Sequence, residues 1–193
     1  VSSTGSITEF GTKTFYYSLI TPKLVTWEDG TTTNKTYQVT ISMPAPTPDT
    51  PDKPTSSSYT VTEKVSGASY GFALNSSGYY ESNNKAVGNS AAVCRVNLNL
   101  AAKSNITFTC INYAESNYDF GLLGNVDSAL GTTNTVDSSV AKSFKGSSQA
   151  GTQTYTYSNV AAGTHFIDVK FRKDSSVNSN NDSLQFKVTI ANA

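Results

Sequence analysis

The densest group of side chains that could do chemistry lies at 112–123, NYAESNYDFGLL, which holds two tyrosines, two asparagines, a glutamate and an aspartate. Glu115 and Asp119 are the candidates for a catalytic pair, and glycosidases use two carboxyl groups about 5–10 Å apart. On an extended strand, residues four positions apart lie about 13 Å from each other. The spacing therefore argues against an active site and predicts a loop between two core strands, whose carboxylates tie the edge of the fold.

The single histidine, His165, opens the alternating segment GTHFIDVKF. As a general base it would need a nucleophile or an acid as partner. The sequence contains no HExxH, Walker or GxGxxG motif that would supply a known catalytic context. A lone histidine at the start of a core strand is typical of a structural residue. We therefore predict that the protein is not an enzyme.

A polar loop at 172–183, RKDSSVNSNNDS, is rich in oxygen ligands of the kind that Ca²⁺ prefers. Its spacing fits no EF-hand, and Asx-rich turns also form without metal. The candidate calcium ligands are the carboxylates of this loop and of the opening stretch, namely Glu115, Asp119, Asp174 and Asp182. The alternative is a protein without a cofactor.

Tyrosines in polar surroundings are the stronger binding signal. Tyr79, Tyr80 and Glu81 lie in SSGYYESNN, while Tyr113 and Tyr118 belong to the opening stretch. A tyrosine ring can stack on the apolar face of a sugar while neighbouring polar groups bind its hydroxyls. These five residues are the predicted glycan-binding residues. The alternative is that the rings cover the ends of the fold.

The composition narrows the class of protein. The 193 residues include 14 basic and 14 acidic residues, so the net charge is zero, and only 15% of residues are charged, against about 25% in ordinary soluble domains. Neutrality argues against nucleic acid or anionic membrane as a partner. No stretch of 18 apolar residues exists to insert into a bilayer. Solubility carried by Ser, Thr, Asn and Gly is typical of an extracellular or virion-surface protein.

Proline divides the chain. All six prolines lie at or before Pro54, five of them in MPAPTPDTPDKPT, a composition that favours extended chain and excludes both helix and central strand. We predict a small β segment at 1–43, a Pro-rich linker at 44–58 and a large domain at 59–193. The first segment contains predicted strands at 13–20, 23–27 and 35–43. It is either part of a larger domain or an assembly arm, because so short a chain buries little surface.

The large domain alternates apolar and polar residues over many short segments, most clearly at 92–100, 106–110, 165–171 and 184–190. The only helical turns expected are near 127–130 or 138–143. Many short strands separated by polar turns predict an all-β jelly-roll β-sandwich. If 101–103 forms a hairpin tip, Cys94 and Cys110 lie directly opposite each other. Two buried thiols are favoured over a disulfide, which needs Cα atoms about 5.5 Å apart.

Several segments resemble a jelly-roll module associated with phage tail and other virion proteins of gut bacteria and with large surface proteins of Firmicutes. They are GYYESNNKAVGNSAAVCRVNL, CINYAESNYDFGLLGNVDSAL, SFKG and VAAGTHFIDVKFRKDSSVNSNNDSLQFKV. The strand AAGTHFIDVKFRKD also resembles the late strand of galactose-binding-like jelly rolls, which include many carbohydrate-binding modules. The resemblance covers about 70–188. It implies a sandwich fold in a surface or virion context and supplies no catalytic residue.

Three functions follow as hypotheses. The first is a non-enzymatic adhesion module on a phage tail, virion or surface appendage that binds a glycan or the host cell surface. The second is a purely structural virion or filament subunit, a homo-oligomer or a partner of other virion proteins. The third is a carbohydrate-binding accessory module of a secreted polysaccharide-degrading protein. Glycan binding separates the first and third hypotheses from the second.

Overall fold

The computed structural model describes the backbone at 11–18 and 36–43, and all atoms of 55–147, 151–176 and 181–193. The chain divides into two compact units, Val1–Asp52 and Lys53–Ala193. Every regular element in these described ranges is a β-strand, which confirms the predicted all-β class. None of the described residues forms a helix of the length and apolarity needed to cross a bilayer.

The first unit contains an antiparallel pair of strands, β1 (Gly11–Ser18) and β2 (Thr36–Met43). The register places Tyr17 opposite Tyr37 and Gly11 opposite Met43. Both strands were expected from the sequence within a few residues. The third expected strand, at 23–27, and most of the Pro-rich linker lie outside the described residues, so the predicted domain limits stay predictions.

Ten strands in the second unit form two antiparallel five-stranded sheets. They are β3 (Ser58–Thr62), β4 (Phe72–Leu74), β5 (Tyr80–Ser82), β6 (Ala91–Leu100), β7 (Ser104–Tyr113), β8 (Phe120–Leu123), β9 (Lys142–Lys145), β10 (Thr152–Val160), β11 (Gly163–Arg172) and β12 (Ser183–Asn192). The order is β3-β6-β11-β8-β9 in the first sheet, sheet I, and β10-β7-β12-β5-β4 in the second, sheet II.

The connectivity is that of a jelly roll. From β5 to β12 the chain crosses between the sheets at every connection except the one from β8 to β9. Four strands of sheet II, in the order β5-β12-β7-β10, therefore face four strands of sheet I, in the order β6-β11-β8-β9. Strands β4 and β3 each extend one of the sheets. The predicted jelly-roll sandwich is confirmed.

Alternation along the long strands builds the core, because successive strand residues point to opposite faces of a sheet. Alternate residues of β6 and β7 are at most 2% exposed. The largest inward side chains form a cluster of rings in which Phe186 lies 5.4–5.8 Å, centroid to centroid, from its aromatic neighbours. Those neighbours are Phe72, Tyr80 and Phe108.

The hairpin between β6 and β7, which was the condition for placing Cys94 opposite Cys110, does not form. Strand β6 pairs with β3 and β11, and β7 pairs with β10 and β12, so the connection at 101–103 crosses from one sheet to the other. Each strand carries an inward row of mostly apolar residues, and crossing places one row in each sheet, so that both line the core between the sheets. Cys94 lies opposite Val169, and both Cys94 and Cys110 are buried free thiols. Burial raises the pKa of Cys110 to about 12.

The helical turns expected near 127–130 and 138–143 do not form. Residues 124–141 are instead a long loop, and the chain then enters β9. The loop crosses the outer face of β11. Leu130, with 7% of its surface exposed, is buried there. This covering loop decides which part of sheet I is open to a ligand.

Candidate functional site

Within the described residues of the second unit, the outer face of sheet I is covered at one end only. Asp168, on the outer side of β11, accepts a hydrogen bond at 3.0 Å from the backbone N–H of Leu130. Two residues further along, Lys170 Nζ donates to the Thr135 carbonyl and pairs with Asp137 Oδ2 at 2.7 Å. These contacts fix the loop at 124–141 over this end of β11. The other end of the face, where β11 pairs with the later half of β6, lies open.

An open groove of about 430 Å³ runs over β3, β6 and β11 at this uncovered end. Besides His165 at its rim, its polar lining consists of hydroxyl and amide side chains. These residues are Ser58, Thr60, Asn97, Asn99 and Thr164. The register explains their proximity, since Asn97 lies opposite both Thr60 and Phe166, and Asn99 lies opposite both Ser58 and Thr164. The ring of Phe166 supplies apolar surface, whereas Tyr59 lies opposite the inward residue Leu98 and faces the other side of the sheet.

The half-buried ring of Phe166 is held by Arg95, whose guanidinium carbon lies 3.8 Å from the ring centroid. Arg95 in turn forms two hydrogen bonds to buried Asp168, at 2.7 Å from Nε and 3.0 Å from Nη2. A guanidinium paired in this bidentate way is fixed in orientation and neutralised. The ring therefore has a fixed position beside a groove that carries no unpaired charge from this arginine.

His165 lies at the rim of the groove and has a structural role. Its Nδ1 lies 2.7 Å from Asp127 Oδ2, and its Nε2 lies 3.1 Å from the Ala161 carbonyl oxygen. The second carboxylate oxygen of Asp127 accepts a hydrogen bond from the Phe166 N–H. With both ring nitrogens engaged, His165 fastens the loop at 124–141 to the start of β11, as expected for a structural histidine.

The tyrosines predicted as ligand-binding residues lie elsewhere. Tyr80 points into the core and stacks on Phe186, with 5.4 Å between centroids. Tyr79 lies 4.1 Å from Lys187 Nζ. Tyr113 ends β7, and Tyr118 is 55% exposed in the loop before β8. None of these rings lines the groove on sheet I. Their role in glycan binding stays a prediction.

Glu81, the fifth predicted ligand-binding residue, is part of a polar cluster on the outer side of β5. Its Oε1 accepts a hydrogen bond from Gln185 and lies 2.8 Å from Lys85 Nζ. Although partial burial alone would raise the pKa of Glu81, the hydrogen bonds, led by that of Lys85, lower it below its usual value. The carboxylate is thus ionised and engaged within the protein.

The predicted calcium ligands gather at one end of the sandwich, around a buried lysine. Asp119 Oδ1 accepts a hydrogen bond from the Asp174 N–H, and Lys173 Nζ lies 2.8 Å from Asp182 Oδ2. Ser176 Oγ contacts both Asp174 and Glu115 Oε2. Among the residues that the structure describes, no three His, Cys, Asp or Glu side chains form a group that could hold a metal. Calcium binding here stays a prediction.

Asp119 should make stability depend on pH. Burial raises the pKa of this carboxyl to about 6, against the opposing effect of the Asp174 N–H, whereas the unfolded chain has a value of about 3.9. Because the pKa of this carboxyl is higher in the folded than in the unfolded chain, its protonated form stabilises the folded protein. This contribution to the free energy of unfolding is complete below about pH 4 and is lost as pH rises through about 6. Replacing Asp119 with Asn should therefore raise the free energy of unfolding, relative to wild type, progressively from pH 4 to 7.

Urea unfolding of both chains with EDTA measures this difference at each pH. A difference that stays constant or falls over the range would contradict the assignment to Asp119. Calcium added at pH 7 provides a second comparison. Stabilisation of the wild type but not of Asp119→Asn is the result expected if this carboxylate binds the ion, as the sequence suggested.

One motif that bears on catalysis was overlooked, because the sequence was first interpreted as containing no GxSxG. Residues 67–71, GASYG, have the GxSxG spacing of a nucleophile elbow, which requires a strand and a helix on either side. Here the segment is a turn between β3 and β4. Gly67 has φ +83°, and a Cβ on Gly71 would overlap the backbone oxygen of Glu63. Both glycines are therefore explained by the backbone geometry of this turn. The single histidine, His165, contacts Asp127 instead of this segment.

The groove residues were missed because the sequence shows which residues point outward from a strand but not which strands lie side by side. The alternation in RVNLNL marks Asn97 and Asn99 as outward residues of β6. Nothing in the sequence indicates that Thr60 and Phe166 lie beside Asn97, because these contacts depend on pairing between strands that are distant along the chain.

Comparison with known proteins adds little to this geometry. No protein-family model matches the chain, and no curated protein matches it. Among solved structures, one similar chain is described as a low affinity xylan binding module, CBM86, from the xylanolytic gut symbiont Roseburia intestinalis. It is 13% identical, the alignment covers 69% of this chain and 92% of that one, and the TM-score is 0.33. A likeness at this level transfers neither ligand nor site residues.

Proposed function

We propose that the second unit is a non-enzymatic glycan-binding module. The observation that carries the proposal is the open groove on sheet I, where amide and hydroxyl side chains surround the fixed ring of Phe166. An apolar ring among neutral hydrogen-bonding groups suits a sugar, which has an apolar face and a rim of hydroxyls. Binding sites for small molecules share this combination of apolar lining with a few polar groups.

The charges around the groove favour a neutral glycan. Arg95, which holds the Phe166 ring, is paired with Asp168, and Asp127 is paired with His165. No carboxylate is among the residues that line the groove, so the two-carboxylate chemistry of glycoside hydrolysis has no groups there. The open shape of the groove buries only part of a ligand, which supports weak binding by a single groove.

The test is binding of the full chain to a panel of neutral and acidic polysaccharides, followed by calorimetric titration with the best ligand. We expect Phe166→Ala to weaken binding about tenfold or more, because the ring contact and its buried area are lost. Asn97→Ala should weaken it as well. Thermal unfolding of each variant verifies that the fold is intact.

Tyr79→Ala and Tyr118→Ala are the matched controls, since both rings lie outside the groove. They should leave the affinity unchanged. If they weaken binding while Phe166→Ala does not, the site lies at the tyrosines, as expected from the sequence. The proposal fails if the panel contains no ligand for the wild-type chain.

For the biological context we propose adhesion: a module on a phage tail, virion or bacterial surface protein that attaches to glycans of a host cell surface. The support is the low charge, the polar surface rich in Ser, Thr and Asn, and the resemblance of 70–188 to such modules. An accessory role beside a polysaccharide-degrading domain would use the same groove. The second candidate, a structural subunit, is favoured by a separate observation on an edge strand of sheet II.

A further inference from the structure

We infer that the second unit self-associates through strand β10, which pairs with β10 of a second copy and joins two copies of sheet II into one continuous sheet. Strand β10 is the edge of sheet II and has β7 as its neighbour on one side. Among the described residues, no strand pairs with its other side. A strand in this position presents a row of unpaired N–H and C=O groups that can template another strand.

The other three edges of the sandwich are short or charged, as natural proteins require to avoid edge pairing. Strand β9 carries Lys142 and Lys145 in its four residues, and β4 has only three residues. Strand β3 has five residues and is followed at once by Glu63 and Lys64. In contrast, β10 has nine residues, TQTYTYSNV, without a charge or a proline.

The sequence of β10 is self-complementary in the antiparallel sense. A two-fold axis through Thr154 places Thr152 opposite Thr156 and Gln153 opposite Tyr155, so that each residue meets one from the same face. The pairing with β7 becomes irregular between Tyr157 and Val160. All five residues of this register, Thr152–Thr156, lie within the regular part of that pairing, Thr152–Tyr157, so the register uses undistorted strand.

The chemistry on both faces fits a second copy. On the outer face, Thr156 lies beside Thr107, with 2.9 Å between their Oγ1 atoms, and Thr107 lies opposite Thr189. The partner strand would add Thr152 to this threonine row, and cross-strand threonine pairs stabilise sheets. On the inner face, half-buried Tyr155 would gain the side chain of Gln153 from the other copy. Neither face brings like charges together.

The first test measures self-association of the full chain by sedimentation over a range of concentrations. The wild type should form dimers, and Thr154→Lys should raise the dimer dissociation constant about fivefold or more, because two lysines would oppose each other. Thr154→Glu should do the same. A mixture of the two variants should recover the dimer, since lysine then faces glutamate.

Thr189→Lys is the matched control, because Thr189 is exposed on the same face but on the interior strand β12. It should leave the dissociation constant unchanged. A monomeric wild type would overturn the proposal, as would failure of the mixture to recover dimers. Loss of dimers with Thr189→Lys as well would show that the charge of the face matters rather than the edge.

The second test fixes the register by disulfide formation. A cysteine at Thr154 would lie opposite its own copy, at a Cα separation of about 4.5–5.5 Å that suits a disulfide. Thr154→Cys should therefore give a covalent dimer on oxidation, whereas Thr152→Cys should not, because residue 152 faces 156. The native cysteines Cys94 and Cys110 are buried and do not interfere. Cross-linking of Thr152→Cys but not of Thr154→Cys would overturn the Thr154-centred pairing. This interaction is independent of glycan binding at the groove on sheet I.

Discussion

Replacing Asp182 with Asn should lower the free energy of unfolding by about 3–5 kcal/mol, the usual cost of removing one partner of a buried ion pair. The side chain of Lys173 is completely buried, and its ammonium group lies 2.8 Å from Asp182 Oδ2, whose side chain is 6% exposed. The ammonium also donates to the Lys85 carbonyl. Without the carboxylate, the positive charge stays in the interior and loses its ion-pair partner.

A double variant separates this cost from the value of the pair itself. Lys173→Met combined with Asp182→Leu removes both charges and fills the same space with apolar atoms, so its loss of stability should be much smaller than that of Asp182→Asn. Glu81→Gln, which breaks a half-exposed pair with Lys85, serves as the control and should cost no more than about 1 kcal/mol. Urea unfolding at pH 7 measures all three variants. A loss below about 1 kcal/mol for Asp182→Asn would contradict the argument.

Local pattern was enough to predict the long strands. The alternating stretches at 92–100, 106–110, 165–171 and 184–190 lie within β6, β7, β11 and β12, and alternation is a property of the strand itself. The short strand β9 could not be predicted from its own residues. Its four residues, KSFK, hold one apolar residue, Phe144, and it is a strand because it pairs with β8. Nothing within the segment indicates that partner.

The connections between strands were harder to predict for the same physical reason. A three-residue connection such as 101–103 can join two strands of one sheet or cross to the other sheet. The choice depends on which inward rows must face each other in the core. Here β6 pairs with β11, which follows about 70 residues later. The contact of Arg95 with Asp168 is one result of this pairing. Strand composition therefore gave the fold class, whereas the order of strands depends on the whole chain.

The candidate site was the feature hardest to predict from the sequence. Its residues come from β3, β6 and β11, and each side chain is ordinary in its own strand. They form a groove only because three strands pair in one register and the loop at 124–141 covers the rest of the face. The sequence pointed to the clustered tyrosines instead, because a sequence shows which residues are neighbours along the chain but not which strands pair.

Replacing Phe186 with Ala should lower the free energy of unfolding by about 3–5 kcal/mol, as expected for a buried aromatic residue that leaves a cavity. Phe186 is completely buried, and its ring packs against Phe72, Tyr80 and Phe108, with centroid distances of 5.4–5.8 Å. These partners come from β4, β5 and β7, so the ring joins four strands of sheet II. Domains of this size are stable by about 5–15 kcal/mol in total, and the variant should retain only a fraction of that.

Phe186→Leu should cost clearly less than Phe186→Ala, because leucine refills most of the volume. The matched comparison is Phe166→Ala, in which the same substitution removes a half-buried ring on the outer face of sheet I and should destabilise the fold far less. Urea unfolding gives the stability of each variant, and titration with the glycan at a temperature where both stay folded gives the affinity. Phe186→Ala should lose stability and keep its affinity, while Phe166→Ala should do the reverse. Equal losses of stability in the two variants would mean that the Phe166 ring belongs to the core and that the groove is not an independent binding surface.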